Sequence, residues 1–364
     1  MKKNIFFLIA FVLLFVGYDT LQQYFAAFFH TQNITTISFI AIGIIYFFFG
    51  AFSMLAPTIC EKIGIKKALF FSSLLYPLFI LAVMTKKPVF VFIASGLLGI
   101  AAAILWTANG LFITKTTTEK NRGSYTGLLF SLMPLGTTIM TFIISFFIEK
   151  VNFILISAGL FIVSLAGSLV FLFIKDIKTE HVNLKLNKKI IRKMMYFFPY
   201  VFATAFIFGT IITKIPVRIT DLFGLQSVGL LLSVYIFSTV IFPFLLGKAV
   251  DKFNKKICLI LGTIAGIAGF ILFLFPLWIT FAFGLLFMGI SYALLVVISY
   301  PMIMELFPKH ASSGIALRWV MQSFAVIFAV ILAITVSFQI MIYIGIILLI
   351  ISLLTLRIFK NNIQ

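Results

Sequence analysis

Long apolar runs separated by short polar turns repeat along the whole chain. A helix needs about twenty apolar residues to cross the hydrocarbon core of a bilayer. The polar stretch 175–193 interrupts the pattern near the middle and predicts a linker. The runs predict twelve membrane-spanning helices, at about 4–29, 36–59, 67–84, 88–114, 123–148, 152–174, 194–220, 225–249, 257–275, 277–306, 312–337 and 339–358.

A charged turn occurs twice, about half a chain apart, each time between two apolar runs. Its first copy starts at Glu61 and its second at Asp251, which is 190 positions later. Gly99 in the fourth span and Gly289 in the tenth open matching segments that are also 190 positions apart. The shared offset predicts a duplicated chain, which is typical of transporters. We therefore expect an all-α polytopic membrane protein in which two pseudo-symmetric six-helix halves, 1–174 and 194–364, flank a cytoplasmic linker at 175–193.

Composition and charge agree with this class. The chain is 63% hydrophobic and only 10% charged, a balance that a soluble domain cannot bury. Of the 28 Lys and Arg residues, 22 fall on the predicted side of the N-terminus and 5 on the other side, with Arg318 inside a span. The positive-inside rule places both termini in the cytoplasm, and we expect a multi-pass protein of the cytoplasmic (plasma) membrane. The rule accounts for the net charge of +19 without a nucleic-acid partner.

The sequence shows no pattern of an enzyme. It has no phosphate-binding loop, no zinc-ligand spacing and no nucleophile with a base beside it. Cys60 and Cys258 lie at helix ends on the side assigned to the cytoplasm, where a disulfide is not expected. We therefore expect no enzymatic activity, no cofactor and no metal. The expected partners are membrane lipids and a small-molecule substrate, and we expect the protein to function as a monomer.

Asp19 is the most informative polar residue, because a carboxylate inside a membrane span is costly unless it is paired, hydrated or protonated. Gln22 and Gln23 follow at i+3 and i+4 and share its helix face. This stripe predicts a cavity lining in which Asp19 is a candidate proton acceptor; the alternative is a hydrogen-bonded structural carboxylate. Further candidates for the cavity, all of which are also common in helix packing, are Trp106, Asn109, Thr210, Thr213, Ser291 and Tyr292.

Charged residues near the ends of the spans are candidates for gating. Lys214 has the length to reach toward Asp19 and form an outer gate, or it extends to the outer surface instead. Arg318 is expected nearer the cytoplasmic side, in a structural or gating role. The carboxylates of the two charged turns either dock on helix N-termini or only set the topology. The turn residues assigned to gating are Glu61, Lys62, Asp251 and Lys252.

The charged turns resemble a motif of the major facilitator superfamily, in which Gly and Asp precede a base, Gly and a basic pair. The second copy keeps Gly247, Asp251 and Lys252, whereas the first keeps Gly64 and has Glu61 in place of Asp. The segment 97–114, LLGIAAAILWTANGLFIT, resembles the fourth span of the UNC-93-like branch of that superfamily.

The resemblance implies the major facilitator fold and a secondary transporter that works by alternating access. The substrate would be a small organic solute, with a proton as a candidate coupling ion. In animals some members of this branch are regarded as channel regulators, so the alternative is a non-transporting membrane regulator or scaffold. A lipid translocator with the same fold is a third hypothesis.

Overall fold

The computed structural model describes residues 5–117, 119–175, 177, 188–252, 255–306 and 311–358. This part of the chain consists of helices joined by short turns. The first segment contains α1 (Ile5–Thr31), α2 (Thr35–Ser53), α3 (Ala56–Ile63), α4 (Ile65–Ser73), α5 (Leu75–Met84), α6 (Pro88–Thr116), α7 (Glu119–Ser145) and α8 (Phe153–Val170). The second contains α9 (Lys188–Ile211), α10 (Lys214–Phe223), α11 (Leu225–Lys252), α12 (Lys255–Leu272), α13 (Trp278–Leu306), α14 (Ala311–Thr335) and α15 (Phe338–Ile358).

Helices occupy the apolar runs of the sequence. Within the described ranges, ten helical stretches are long and apolar enough to cross a membrane, and the ninth and tenth predicted spans contain the shorter apolar helices Lys256–Leu272 and Trp278–Leu294. The prediction of an all-helical, multi-pass membrane protein is confirmed. α9 begins at Lys188, inside the segment predicted as the linker. Lys and Arg are good helix formers, so this helix continues past the apolar run from which the span was predicted.

Prolines explain why some predicted spans are built from two helices. α2 ends at Ser53, four residues before Pro57, and α4 ends at Ser73, four residues before Pro77. Proline has no amide hydrogen to donate to the carbonyl four residues earlier, and its ring crowds that carbonyl. The break between α9 and α10 likewise lies just before Pro216. Each break divides a span into two separately packed helices.

The two ends of the helix bundle are distinguished by their turns. The turn between α3 and α4 belongs to the first charged motif, and Gly64 adopts a φ of 86° there, which glycine tolerates best. The second predicted charged turn falls between α11 and α12, where residues 253 and 254 lie outside the described ranges. We call the end of the bundle that carries the turn between α3 and α4 the charged end. The turns after α1 and α10 lie at the opposite end, because short connections make successive spans antiparallel.

α1 occupies the interior of the molecule. From Leu14 to Phe29 every residue except Asp19 is buried. This helix packs against α7 and α8 and also contacts α10 and α11 of the second segment. The two segments are further joined by α2 on α14 and by α7 on α11. The middle of α1 is therefore enclosed by protein on all sides.

The repeat offset recurs in the packing of two helix pairs. A Cβ atom on Gly99 would collide with the carbonyl oxygen of Ile45 in α2. A Cβ atom on Gly289 would lie 2.7 Å from the carbonyl oxygen of Tyr235 in α11. The two contacted residues are 190 positions apart, as the two glycines are. The same close approach of two backbones therefore occurs once in each segment, as small residues at membrane helix contacts permit.

Replacing Gly99 with Ala is expected to destabilise the protein, because the added methyl group meets backbone rather than a flexible side chain. Overpacking of this kind costs about 1–3 kcal/mol, which should lower the melting temperature in detergent by several degrees. Gly110→Ala, in the same helix, is the matched control. A Cβ atom at Gly110 would have no described neighbour from another part of the structure within 4 Å. A Gly99→Ala variant that melts no lower than the control would contradict this packing of α6 on α2.

Candidate functional site

Asp19 borders a space inside the molecule. The residue is half-buried, whereas its neighbours Tyr18 and Thr20 are buried, on a helix that is enclosed on all sides. Its partial exposure therefore comes from an internal space and not from the outer surface. Within the described ranges, no Lys, Arg or His pairs with this carboxylate. A carboxylate in such surroundings is stabilised by water or by a ligand that reaches it.

Three tyrosines of the first segment lie in the neighbourhood of Asp19. The carboxylate is within electrostatic range of the phenol groups of Tyr18, Tyr46 and Tyr76. The rings of Tyr18 and Tyr76 meet edge to face with their centres 4.8 Å apart. Together with two residues of the second segment they form the tyrosine cluster, which consists of Tyr18 in α1, Tyr46 in α2, Tyr76 in α5, Tyr235 in α11 and Tyr292 in α13.

The tyrosine cluster connects the two segments. Tyr46 is within electrostatic range of Tyr292, and Tyr235 is within range of both. Phe208 in α9 lies between the segments, because its ring stacks on Tyr292 at 5.2 Å and is 6.2 Å from Tyr46. The hydroxyl of Tyr235 is buried and has no hydrogen-bond partner among the described residues. The cluster therefore connects the tyrosines near Asp19, through Tyr46, to hydroxyl groups and aromatic rings of the second segment.

Of this cluster, the sequence analysis identified only Tyr292. A signal for the others was present, since Tyr in membrane helices is enriched at the two interfaces. Tyr46, Tyr76 and Tyr235 instead lie near the middle of their predicted spans. A tyrosine near the middle of a predicted span, and not at its ends, is therefore a further sequence signal of an internal polar site.

A layer of aromatic rings lies next to Asp19 toward the charged end. Phe15, one helical turn from Asp19, has its ring centre 5.3 Å from that of Trp106. Trp106 is 6.2 Å from Trp319 of α14, which in turn is 5.3 Å from Phe49 of α2. These rings again come from both segments. We call these four residues the aromatic layer.

Beyond the aromatic layer the interior face of α6 is open. Gly110 shares a helix face with Trp106, one turn nearer the charged end. It is exposed, and no described atom lies within 4 Å of the position of a Cβ atom. Asn109 beside it is buried, and its side-chain oxygen has no described hydrogen-bond partner. The site at Asp19 is therefore separated from the charged end by the aromatic layer, with open space beyond it.

The predicted polar stripe on α1 is buried. Gln22 and Gln23 are 8% and 7% exposed, and the side-chain oxygen of Gln23 has no hydrogen-bond partner in the described part of the chain. A buried amide oxygen is usually paired with protein or water. Gln23 therefore agrees with a polar lining, as Asn109 does.

Three predicted cavity residues serve helix packing in this structure. The hydroxyls of Thr210 and Thr213 are fully buried and donate to carbonyl oxygens one turn earlier, at 2.9 and 2.7 Å. These bonds satisfy backbone groups next to the break between α9 and α10. Ser291 is fully buried and faces α12, because a Cβ on Gly266 would lie 2.9 Å from its hydroxyl oxygen. The hydroxyl oxygen of Ser291 has no described hydrogen-bond partner, and the roles of these three residues as donors to a substrate stay predictions.

Lys214 does not pair with Asp19 in this structure, contrary to the predicted outer gate. Its Nζ donates to the carbonyl oxygens of Ala333 and Val336, at 2.9 and 3.3 Å. These carbonyls belong to the end of α14, where a cation is favoured by the helix dipole. Lys214 therefore has hydrogen-bond acceptors on α14 that could not be predicted from its position in the sequence.

The other predicted gating residues lie nearer the charged end. Arg318 is fully buried, and its guanidinium carbon lies 4.4 Å from the ring centre of Trp319 in the aromatic layer. Glu61 is half-buried near the end of α3, and Lys62 is exposed. The side chains of Asp251 and Lys252 lie outside the described residues.

Contacts between the segments close the opposite end. Nε2 of His30 in α1 lies 2.7 Å from Oδ1 of Asp221 in α10, a hydrogen bond that becomes an ion pair when the imidazole is protonated. The backbone N–H of Gln226 donates to Oε1 of Glu149 at 3.1 Å. This hydrogen bond joins the start of α11 to the turn after α7. A surface cleft of about 430 Å³ beside Lys214 contains the first pair and is distinct from the space at Asp19. The sequence analysis did not predict either contact.

Comparison with known proteins identifies the family. The family described as "Ion channel regulatory protein UNC-93" matches residues 31–276. The chain belongs to the UNC-93 family. The model described as "Major Facilitator Superfamily" matches residues 197–362 of this UNC-93 protein, a little under half of the chain.

The relatives differ in how much of the chain they cover. The UNC93-like proteins MFSD11 of Xenopus laevis and Xenopus tropicalis are 28% and 30% identical to it over 128 residues, which are 34% of this chain. The matched part is 29% of the length of each relative. Two crystal structures of the nucleoside transporter NupG, one of a point mutant, have TM-scores of 0.75 and 0.74 at 12% and 13% identity. They cover 98% and 99% of this chain, and 100% and 98% of their own, so this UNC-93 protein has the major facilitator fold.

Asp221→Asn is expected to weaken closure of the opposite end, because the amide replaces the acceptor that can form an ion pair with His30. A hydrogen bond of this kind contributes about 1 kcal/mol, so we expect the population open at that end to rise about fivefold. Spin labels at Thr31 and Thr220 would report it as a larger long-distance fraction. Thr36→Val, a change in the same cleft, is the control. Identical distance distributions in the two variants would contradict a closing role for the pair.

Proposed function

We propose that this protein is a secondary transporter that moves a small organic solute across the cytoplasmic membrane by alternating access. The observation that carries the proposal is the partly exposed Asp19 on an otherwise enclosed α1, beside side chains from both segments. The segments correspond to two pseudo-symmetric six-helix halves, 1–174 and 194–364, with both termini and the charged end in the cytoplasm. The protein works as a monomer in contact with membrane lipids.

The asymmetry between the two ends supports this mechanism. His30 and Asp221 hold α1 to α10 at the opposite end, whereas Gly110 is exposed on the interior face of α6 toward the charged end. Opening at the opposite end requires the His30–Asp221 contact to break and the two halves to rock about Asp19. The aromatic layer separates the site from the cytoplasmic opening. Asp19 is the candidate residue for coupling this motion to a proton.

The substrate is proposed as a soluble organic molecule. NupG, which shares the fold, is described as a nucleoside transporter, so uridine is the first neutral solute to test. The buried amides of Gln23 and Asn109 and the tyrosine hydroxyls supply hydrogen-bonding groups for such a solute.

A non-transporting membrane regulator is the second candidate function, because the matching family is described as an ion channel regulatory protein. A regulator needs a surface that holds its partner and does not need its centre to open alternately to the two sides. The two candidates therefore differ in whether the distances at the two ends change in opposite senses.

Paired distance measurements test the transporter proposal without knowledge of the substrate. Spin labels at Lys66 and Lys256 report on the charged end, and labels at Thr31 and Thr220 report on the opposite end. We expect the two distances to change in opposite senses between pH 5 and pH 8. The comparison is made in a His30→Gln background, so that protonation of the imidazole at the opposite end does not contribute. In that background we expect Asp19→Asn, which cannot ionise, to remove the dependence of both distances on pH.

A single fixed distance at each end under all conditions would contradict alternating access and favour the regulator. Distances that still respond to pH in Asp19→Asn would retain alternating access but remove Asp19 as the coupling residue. Asp176→Asn, in the predicted linker, is the control for loss of a carboxylate elsewhere.

A further inference from the structure

We infer that the central site binds an organic cation, a molecule with an ammonium group and an apolar body. This inference deepens the proposed function, because it takes the site at Asp19 as the substrate site. It is based on the charge of that site and on the kind of side chain around it.

Asp19 has no described cationic partner, and the buried guanidinium of Arg318 lies against Trp319 in the aromatic layer. Asp19 is the only Asp or Glu inside the first predicted span, and no described cation pairs with it. Lys214 is held by two carbonyl groups at the end of α14. The position 190 residues after Asp19 is Gly209, which packs against Ala329, so the repeat supplies no second carboxylate there. A cationic ligand would neutralise the charge of Asp19, whereas an anionic ligand would be repelled by it.

The side chains around Asp19 favour the same ligand. Tyr18, Tyr46 and Tyr76 bring phenol rings within electrostatic range of the carboxylate, and Phe15 lies one turn away. Aromatic faces attract ammonium groups, most strongly where water is excluded. Aromatic rings with one carboxylate therefore suit an ammonium group with an apolar substituent better than they suit a strongly hydrated inorganic ion.

Binding by one matched series of probes tests the inference. The cationic members are phenethylammonium and benzyltrimethylammonium, the neutral member is 2-phenylethanol and the anionic member is phenylacetate; uridine represents neutral nucleosides. Titration calorimetry on the purified full-length protein in nanodiscs gives each affinity. We expect the better cation to bind about tenfold more tightly than any neutral or anionic probe.

Variants assign the binding to the central site. Asp19→Asn should weaken the cations about tenfold and leave 2-phenylethanol unchanged, while Asp19→Glu should restore part of the loss. Tyr76→Leu should weaken the cations about threefold, whereas Tyr76→Phe, which keeps the ring, should change them less. Asp176→Asn is the control for total charge. The melting temperature of each unliganded variant shows whether it remains folded.

Three results would overturn the inference. The first is tighter binding of uridine or phenylacetate than of both cations, and the second is no cation binding at millimolar concentration. The third is cation binding that Asp19→Asn leaves intact in a folded protein.

The distance measurements need no ligand and are therefore independent of these results. Opposite distance changes without cation preference would refute only the ligand class. Cation binding with fixed distances would refute only alternating access.

Discussion

Inside a bilayer every backbone polar group has to find a partner within the protein, and this constraint governs the architecture described above. It makes the chain helical throughout its apolar runs. Where Pro57, Pro77 and Pro216 remove a backbone donor, the helices end and restart. Near the break after α9, threonine hydroxyls donate to carbonyl groups, and Lys214 does so at the end of α14. These hydroxyl and ammonium groups are occupied by structure, whereas no cation in the described part of the chain pairs with Asp19.

The spans and the repeat were predictable because each depends on a pattern along the chain. Length and apolarity locate a membrane helix within a few residues, and a 190-residue offset between Gly99 and Gly289 recurs as the same backbone contact in space. The start of α9 at Lys188 was not predictable in this way, because hydropathy reports the part of a helix in the membrane and not its continuation.

The candidate site was predictable only where a residue is costly by itself. Asp19 and the amides beside it were identified because a membrane span rarely carries them. Their surroundings depend on which helices meet. Lys214 was expected at Asp19 but lies on the carbonyl groups of α14, and the contact between His30 and Asp221 joins residues 191 positions apart. Hydroxyl residues such as Thr210 have an alternative partner in their own helix, so their presence in a span does not show where they face.

The short helix α10 changes how closure at the opposite end can be released. It contains ten residues, carries both Lys214 and Asp221, and is separated from α9 by the break at residues 212 and 213. A segment of this size can tilt about its own hinge while the long helices behind it keep their packing. An occlusion step at that end would then involve fewer than three helical turns, and the larger rearrangement of the two halves would follow as a separate kinetic event.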